Sequence, residues 1–157
     1  MIRRSVLFLS VLLVGFAACS ANASDEAKTG DSPEAGSRTY AQNYKDMLLA
    51  WCIARAYEKE PVASKDAAST GSALDEVGNY DVEHSTDAID SLLKRYLNRD
   101  YHHPLVEYKG VQFGLLKCLD MYHSKELDAQ VKRYVGNPNR TYRQDDPFKK
   151  LHSMDTR

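Results

Sequence analysis

Two cysteines, Cys52 and Cys118, each fall on an apolar stripe with the period of an α-helix, and that coincidence restricts the fold more than any other feature. The segment YAQNYKDMLLAWCIARAY (Tyr40–Tyr57) sets Tyr44, Met47, Leu48, Trp51 and Cys52 on one face. A later segment ending at Tyr122 aligns Val111, Leu115, Cys118, Leu119 and Tyr122. A bond between two such inward cysteines would staple the first helix to the later one.

Whether the pair is oxidised depends on the compartment. The chain opens Met1-Ile2-Arg3-Arg4, runs apolar from Val6 to Ala18, and then becomes small and polar, the order of a secretory signal peptide. The apolar run is about 13 residues against the roughly 20 that a spanning helix needs, so no membrane span is expected. Two processing sites overlap. Ala21-Asn22-Ala23 would release a soluble chain beginning at Ser24, whereas Phe16-Ala17-Ala18-Cys19 resembles a lipobox that would place a lipid anchor on Cys19. Either cut leaves Cys52 and Cys118 in an oxidising periplasm, where a disulfide is expected and two free buried thiols are the alternative. In the chain-entropy model, closing a loop of about 67 residues stabilises by roughly 4 kcal/mol. Loss of Arg3 and Arg4 with the signal takes the net charge from −1 to −3, which gives no electrostatic case for nucleic acid.

Residues 1–23 therefore read as signal peptide. Residues 24–38, rich in Ser, Asp, Glu, Gly and Ala, read as a disordered leader with nothing to bury, and 148–157 as a flexible tail. Residues 39–147 are left as one domain, of a size suited to a single core. The periodicity predicts an all-α fold, a compact bundle of about five helices with one disulfide. After Tyr40–Tyr57 comes a helix from about Lys65 to Val77, with Ser64 as N-cap and an inward stripe of Ala67, Gly71, Leu74 and Val77. Gly71 costs about 1 kcal/mol relative to Ala in a helix interior, yet small residues let a neighbouring helix approach. A third helix, about Thr86 to Leu97 with Ser85 as its cap, carries Ile89, Leu92, Leu93 and Tyr96. The fourth runs to about Tyr122. The fifth starts after Ser124, buries Leu127, Val131, Tyr134 and Val135, and stops at Gly136 and Pro138.

Catalytic signals are missing from this pattern. Cysteines on apolar stripes behave as small hydrophobes or disulfide halves. There is no G-x-S-x-G turn, and no H-E-x-x-H, C-x-x-C or EF-hand loop. His102 and His103 are adjacent and lack a partner at i+4, so neither a metal site nor a cofactor is expected. The carboxylate pairs Asp75-Glu76 and Asp145-Asp146 read as solvated surface.

Tyrosine stands out instead: all ten lie beyond the signal peptide. Tyr44, Tyr96, Tyr122 and Tyr134 belong to helix stripes and read as core, whereas Tyr101 falls in the polar stretch Asn98-Arg99-Asp100-Tyr101-His102-His103-Pro104. Pro104 keeps that stretch from continuing as helix. Its polarity holds it at the surface, with Tyr101 as an exposed aromatic contact and Arg99, Asp100, His102 and His103 as hydrogen-bonding partners for the rim of a cleft.

Several long words carry a resemblance. LKCLDMYHSKELDAQVKRYV (Leu116–Val135) and NPNRTYRQDDP (Asn137–Pro147), with YAQNYKDMLLAWCIARAY (Tyr40–Tyr57) and LNRDYHHPLVEYKG (Leu97–Gly110), resemble the amidase immunity proteins of type VI secretion, family four. The resemblance implies a periplasmic helical homodimer, without enzymatic activity, that neutralises a secreted peptidoglycan amidase. That toxin is a papain-like cysteine endopeptidase which cuts the D-glutamyl to diaminopimelate bond. The resemblance also implies inhibition by occlusion, a protruding loop entering the toxin's cleft while a helix of the other protomer adds contacts. Residues 98–104 are the expected loop. The Ser24–Arg38 leader is longer than the family pattern. Two other readings remain: a periplasmic or lipid-anchored helical module for a small molecule or metal, which would show an apolar pocket with convergent polar groups, and a small hydrolase, which would bring a nucleophile and base together in a cleft.

Overall fold

Every major element packs on α1 (Tyr40–Ala56), whose inward face buries Tyr40, Asn43, Tyr44, Met47, Leu48, Ala50 and Cys52. The helix is started by a capping box: Thr39 accepts the Gln42 N–H at 3.2 Å, and the Gln42 side chain accepts the Thr39 N–H at 2.9 Å. A computed structural model describes residues 33–101 and 111–146 of this all-α fold. Residues 1–32, 102–110 and 147–157 lie outside that description, and with them the signal peptide, Cys19, most of the leader and the tail.

Among the described residues five main helices are present, as the periodicity predicts. They are α1, α2 (Pro61–Glu76), α3 (Val82–Leu97), α4 (Gly114–Tyr122) and α5 (Lys125–Tyr134), followed by a single turn, α6 (Tyr142–Asp145). One stripe from each long helix meets in a core of Tyr44, Met47, Leu48, Leu74, Ile89, Leu92, Leu93, Tyr96, Met121 and Leu127, with the Cys52–Cys118 disulfide inside it. The bond joins α1 to α4 with a Cα to Cα separation of 5.6 Å, and neither cysteine is exposed. On α5, Leu127 is buried and Ser124 accepts the Leu127 N–H at 3.1 Å as the cap.

Three helix starts differ from the sequence expectation, one of them α4, which begins at Gly114 and leaves Val111 ahead of it. Pro61 opens α2 rather than preceding it, since its missing N–H would be unbonded in the first turn anyway. Ser64 is inside the helix and donates to the Ala54 carbonyl at 2.9 Å. Asp81, not Ser85, caps α3, accepting the His84 N–H at 3.1 Å, and Ser85 is fully buried. The folded unit also begins before Tyr40. Residues Glu34–Ser37, placed in the leader by composition, form a 3-10 turn, and Asn43 Nδ2 donates to the Ala35 carbonyl at 2.8 Å. That turn acquires order because a buried amide on α1 requires an acceptor.

Among the described residues no strand exceeds an isolated bridge. Thr39 pairs with Thr141, and Tyr80 with Val135. The first closes the unit end to end: the Tyr40 N–H donates to the Arg140 carbonyl at 2.8 Å and the Ala41 N–H to that of Pro138 at 3.1 Å. Thr141 with Gln144 repeats the capping box of α1.

Candidate functional site

The polar stretch begins where α3 ends. Lys94 and Arg95 occupy the last turn, where positive charge opposes the helix dipole, and the Asn98 N–H closes the helix on the Lys94 carbonyl at 3.0 Å. Asn98 and Asp100 are exposed, while Arg99 and Tyr101 are half-buried. The Arg99 guanidinium lies over the Tyr96 ring, 3.6 Å from its centroid. Tyr96 in turn donates its hydroxyl to Glu126 of α5 at 2.5 Å, and this bond holds the Glu126 carboxyl below the usual carboxylate range. His102, His103 and Pro104 lie outside the described residues, as does Tyr108.

Tyr101 does not stand free as the sequence expectation had it. Its hydroxyl donates to the Asp120 carboxylate on α4 and accepts from Arg99 Nη1 at 3.5 Å. The Asp120 bond, with some burial, raises the phenol above its ordinary pKa. Beneath the ring lies Lys117, only 6% exposed, whose ammonium donates to the Leu97 carbonyl at 3.1 Å and sits 5.8 Å from the Tyr101 centroid. The ammonium is thus tolerated in the interior by a helix-end carbonyl and an aromatic face.

Placing Lys117 inward corrects the stripe expected for the fourth helix. The inward positions of α4 are Gly114, Lys117, Cys118 and Met121, and Gly114 sits so close to Ala56 that an added Cβ would lie 2.9 Å from the Ala56 methyl. Val111, Leu115 and Leu119, expected inside, are 47%, 45% and 37% exposed, and Leu116 is 45% exposed. Tyr122 is half-buried rather than core, as is Tyr134. Val111, Leu115, Leu116 and Leu119, with Tyr57 and Phe113, line an uncharged hollow of about 420 Å³. Phe113, at the start of α4, holds φ 51° and ψ 36°, a left-handed conformation that costs a non-glycine residue about 1 kcal/mol or more.

Among the described residues no group of three or more His, Cys, Asp or Glu is placed to hold a metal, and no helix is long and apolar enough to cross a membrane. Cys52 and Cys118 are consumed by each other. A groove of about 880 Å³ runs between the 3-10 turn, α1, α2 and α6, open to solvent. Its floor is apolar (Leu49, Ile53, Leu74), and Arg38 and Asp46 on its rim are paired at 2.6 Å. The described residues thus place Arg99 and Tyr101 against α3 and α4, and leave Leu115, Leu116 and Leu119 of α4 exposed.

Sequence reasoning missed Lys117, Asp120, Leu116 and Phe113. The one signal for Lys117 was its phase, in step with Cys118 and Met121.

The family model described as type VI secretion system amidase immunity protein, Tai4, matches residues 42–131. Among solved structures, a chain from a study of new type VI-secreted toxins and self-resistance proteins in Serratia marcescens is 31% identical. It superposes with a TM-score of 0.66, covering 74% of this chain and 94% of that one. A chain of the Tae4/Tai4 effector–immunity system from Salmonella typhimurium is 28% identical, with a TM-score of 0.58 over 66% of this chain and 96% of that one. Comparison with curated proteins gives no match.

Proposed function

We propose that this chain, which belongs to the Tai4 family of type VI secretion system amidase immunity proteins, protects by binding alone, its loop rooted at Asn98 and Tyr101 occluding the active-site cleft of the amidase. It is an immunity protein against an amidase effector. The family match, which runs from α1 into α5, carries that conclusion. Nothing in the comparisons supports the alternative of a small-molecule or metal-binding module.

The finer reading has its own supports. The basic, apolar and small order of residues 1–23 favours export to the periplasm, with soluble release after Ala23 preferred to a lipid anchor at Cys19. The pairing of both domain cysteines with each other leaves no thiol there for catalysis, which favours inhibition by occlusion. A homodimer suits the exposed face of α4: Leu115, Leu116 and Leu119, with Val111 just ahead of the helix, carry no charge, a composition that fits the apolar core of a homodimer interface, and a second copy would cover them.

The mature protein, added to its cognate amidase, is expected to abolish peptidoglycan cleavage at one equivalent. Replacing His102 and His103 together with Ala is expected to weaken binding about thirtyfold by calorimetry, the loss typical of a truncated hot spot. Full inhibition at one equivalent with unchanged affinity would move the inhibitory site away from the loop.

A further inference from the structure

Tyr101 is the one tyrosine of the stretch 98–104, yet its polar group is already used. The hydroxyl gives its proton to Asp120 and accepts from Arg99, and Lys117 lies against the ring. Arg99 is itself stacked on Tyr96, which is bonded to Glu126. The chain therefore leaves α3 through a set of contacts reaching α4 and α5. The helix that carries Asp120, α4, begins at Gly114 and is bonded covalently to α1 through Cys118. A tyrosine reaching a partner with its hydroxyl would have to give up one of these bonds first.

We infer that Tyr101 and Asp120 act as an internal brace: their hydrogen bond, seated on Lys117, fixes where the chain leaves α3 relative to α4 and so raises affinity for the amidase without touching it. The inference rests on the loop reading above. Its physical basis is pre-organisation, since a loop root already held in place loses less freedom on binding. Tyr101 and Asp120 are positioning residues, Arg99 and Lys117 their supports.

A double-mutant cycle distinguishes brace from contact. Tyr101→Phe and Asp120→Ala are each expected to lower affinity about tenfold by calorimetry, and the double variant also about tenfold, because either change removes the same bond. Asp120→Asn, whose amide oxygen still accepts from the hydroxyl, is expected to restore wild-type affinity. Amides flanking residue 101 in the free protein are expected to exchange faster in both single variants. A hundredfold loss in the double variant, or wild-type affinity in Asp120→Ala, overturns the brace. If the His102 and His103 replacements weaken binding while Asp120→Ala does not, the brace alone fails. If none of these changes alters affinity, the loop reading fails and the brace with it.

Discussion

The indole of Trp51 occupies the space that a Cβ on Gly71 would need: such an atom would lie 2.3 Å from both Cδ1 and Nε1 of the ring. The glycine that weakens α2 as a helix is therefore what lets α2 lie against α1. Gly71→Ala gains about 1 kcal/mol of helix propensity but overpacks a contact that typically costs 1–3 kcal/mol. A net loss of about 1 kcal/mol is expected, lowering the thermal midpoint by several degrees. A higher midpoint by circular dichroism would show that the indole moves aside without cost.

The disulfide closes a long covalent loop, with its cysteines 66 residues apart. Thiol titration of the denatured, unreduced protein is expected to find neither Cys52 nor Cys118. Reduction is expected to lower stability by about 4 kcal/mol in guanidinium unfolding. A shift below about 1 kcal/mol would mean that α4 is held by its packing alone.

Self-association is expected to depend on α4. Leu115→Glu with Leu119→Glu places two charges on its exposed face and is expected to convert a dimer at micromolar concentration into a monomer by light scattering. A doubly substituted protein that keeps the dimer mass would place the interface on another surface.

Alkaline pH is expected to unfold the domain. Burial raises the pKa of Tyr44, Tyr80, Tyr122 and Tyr40, and the Asp120 bond raises that of Tyr101. A raised phenol pKa means that the fold favours the protonated form. The stabilisation is complete below the unfolded value of about 10 and is lost as pH rises through the higher folded values. For the buried Tyr44 the loss approaches about 1.4 kcal/mol per pH unit between the unfolded value and the higher folded one. Denaturant unfolding from pH 8 upward, followed with phenolate absorbance, checks this, and a flat profile to pH 12 would contradict it.

Much of this architecture was legible in the residues. The α1 stripe, the buried cysteines and the Ser124 cap are local patterns, and local patterns survive folding. The α4 stripe was misread because Val111, Leu115 and Leu119 look like core while Gly114 and Lys117 do not. Only the tertiary structure supplies the Leu97 carbonyl that accepts the ammonium and the Ala56 methyl that a side chain at position 114 would strike. Two caps shifted for a related reason: Ser64 and Ser85 are sound cap residues, but Pro61 and Asp81 lie upstream and start the helices earlier. Asn98 to Tyr101 were recognisable as a polar aromatic surface stretch. That Tyr101 bonds to Asp120, 19 residues away, has no sequence periodicity to announce it.

The pairing of Thr39 with Thr141 sets the order in which the domain is completed. A chain delivered N-terminus first, by a ribosome or a translocation channel, presents α1 before any other helix. The acceptors of the Tyr40 and Ala41 amides, the carbonyls of Arg140 and Pro138, come nearly a hundred residues later. Contacts of such separation carry a large closure entropy and form late. Only the first turn of the central helix waits for residues 138–141, because its later turns pack on α2, the helix that follows it directly.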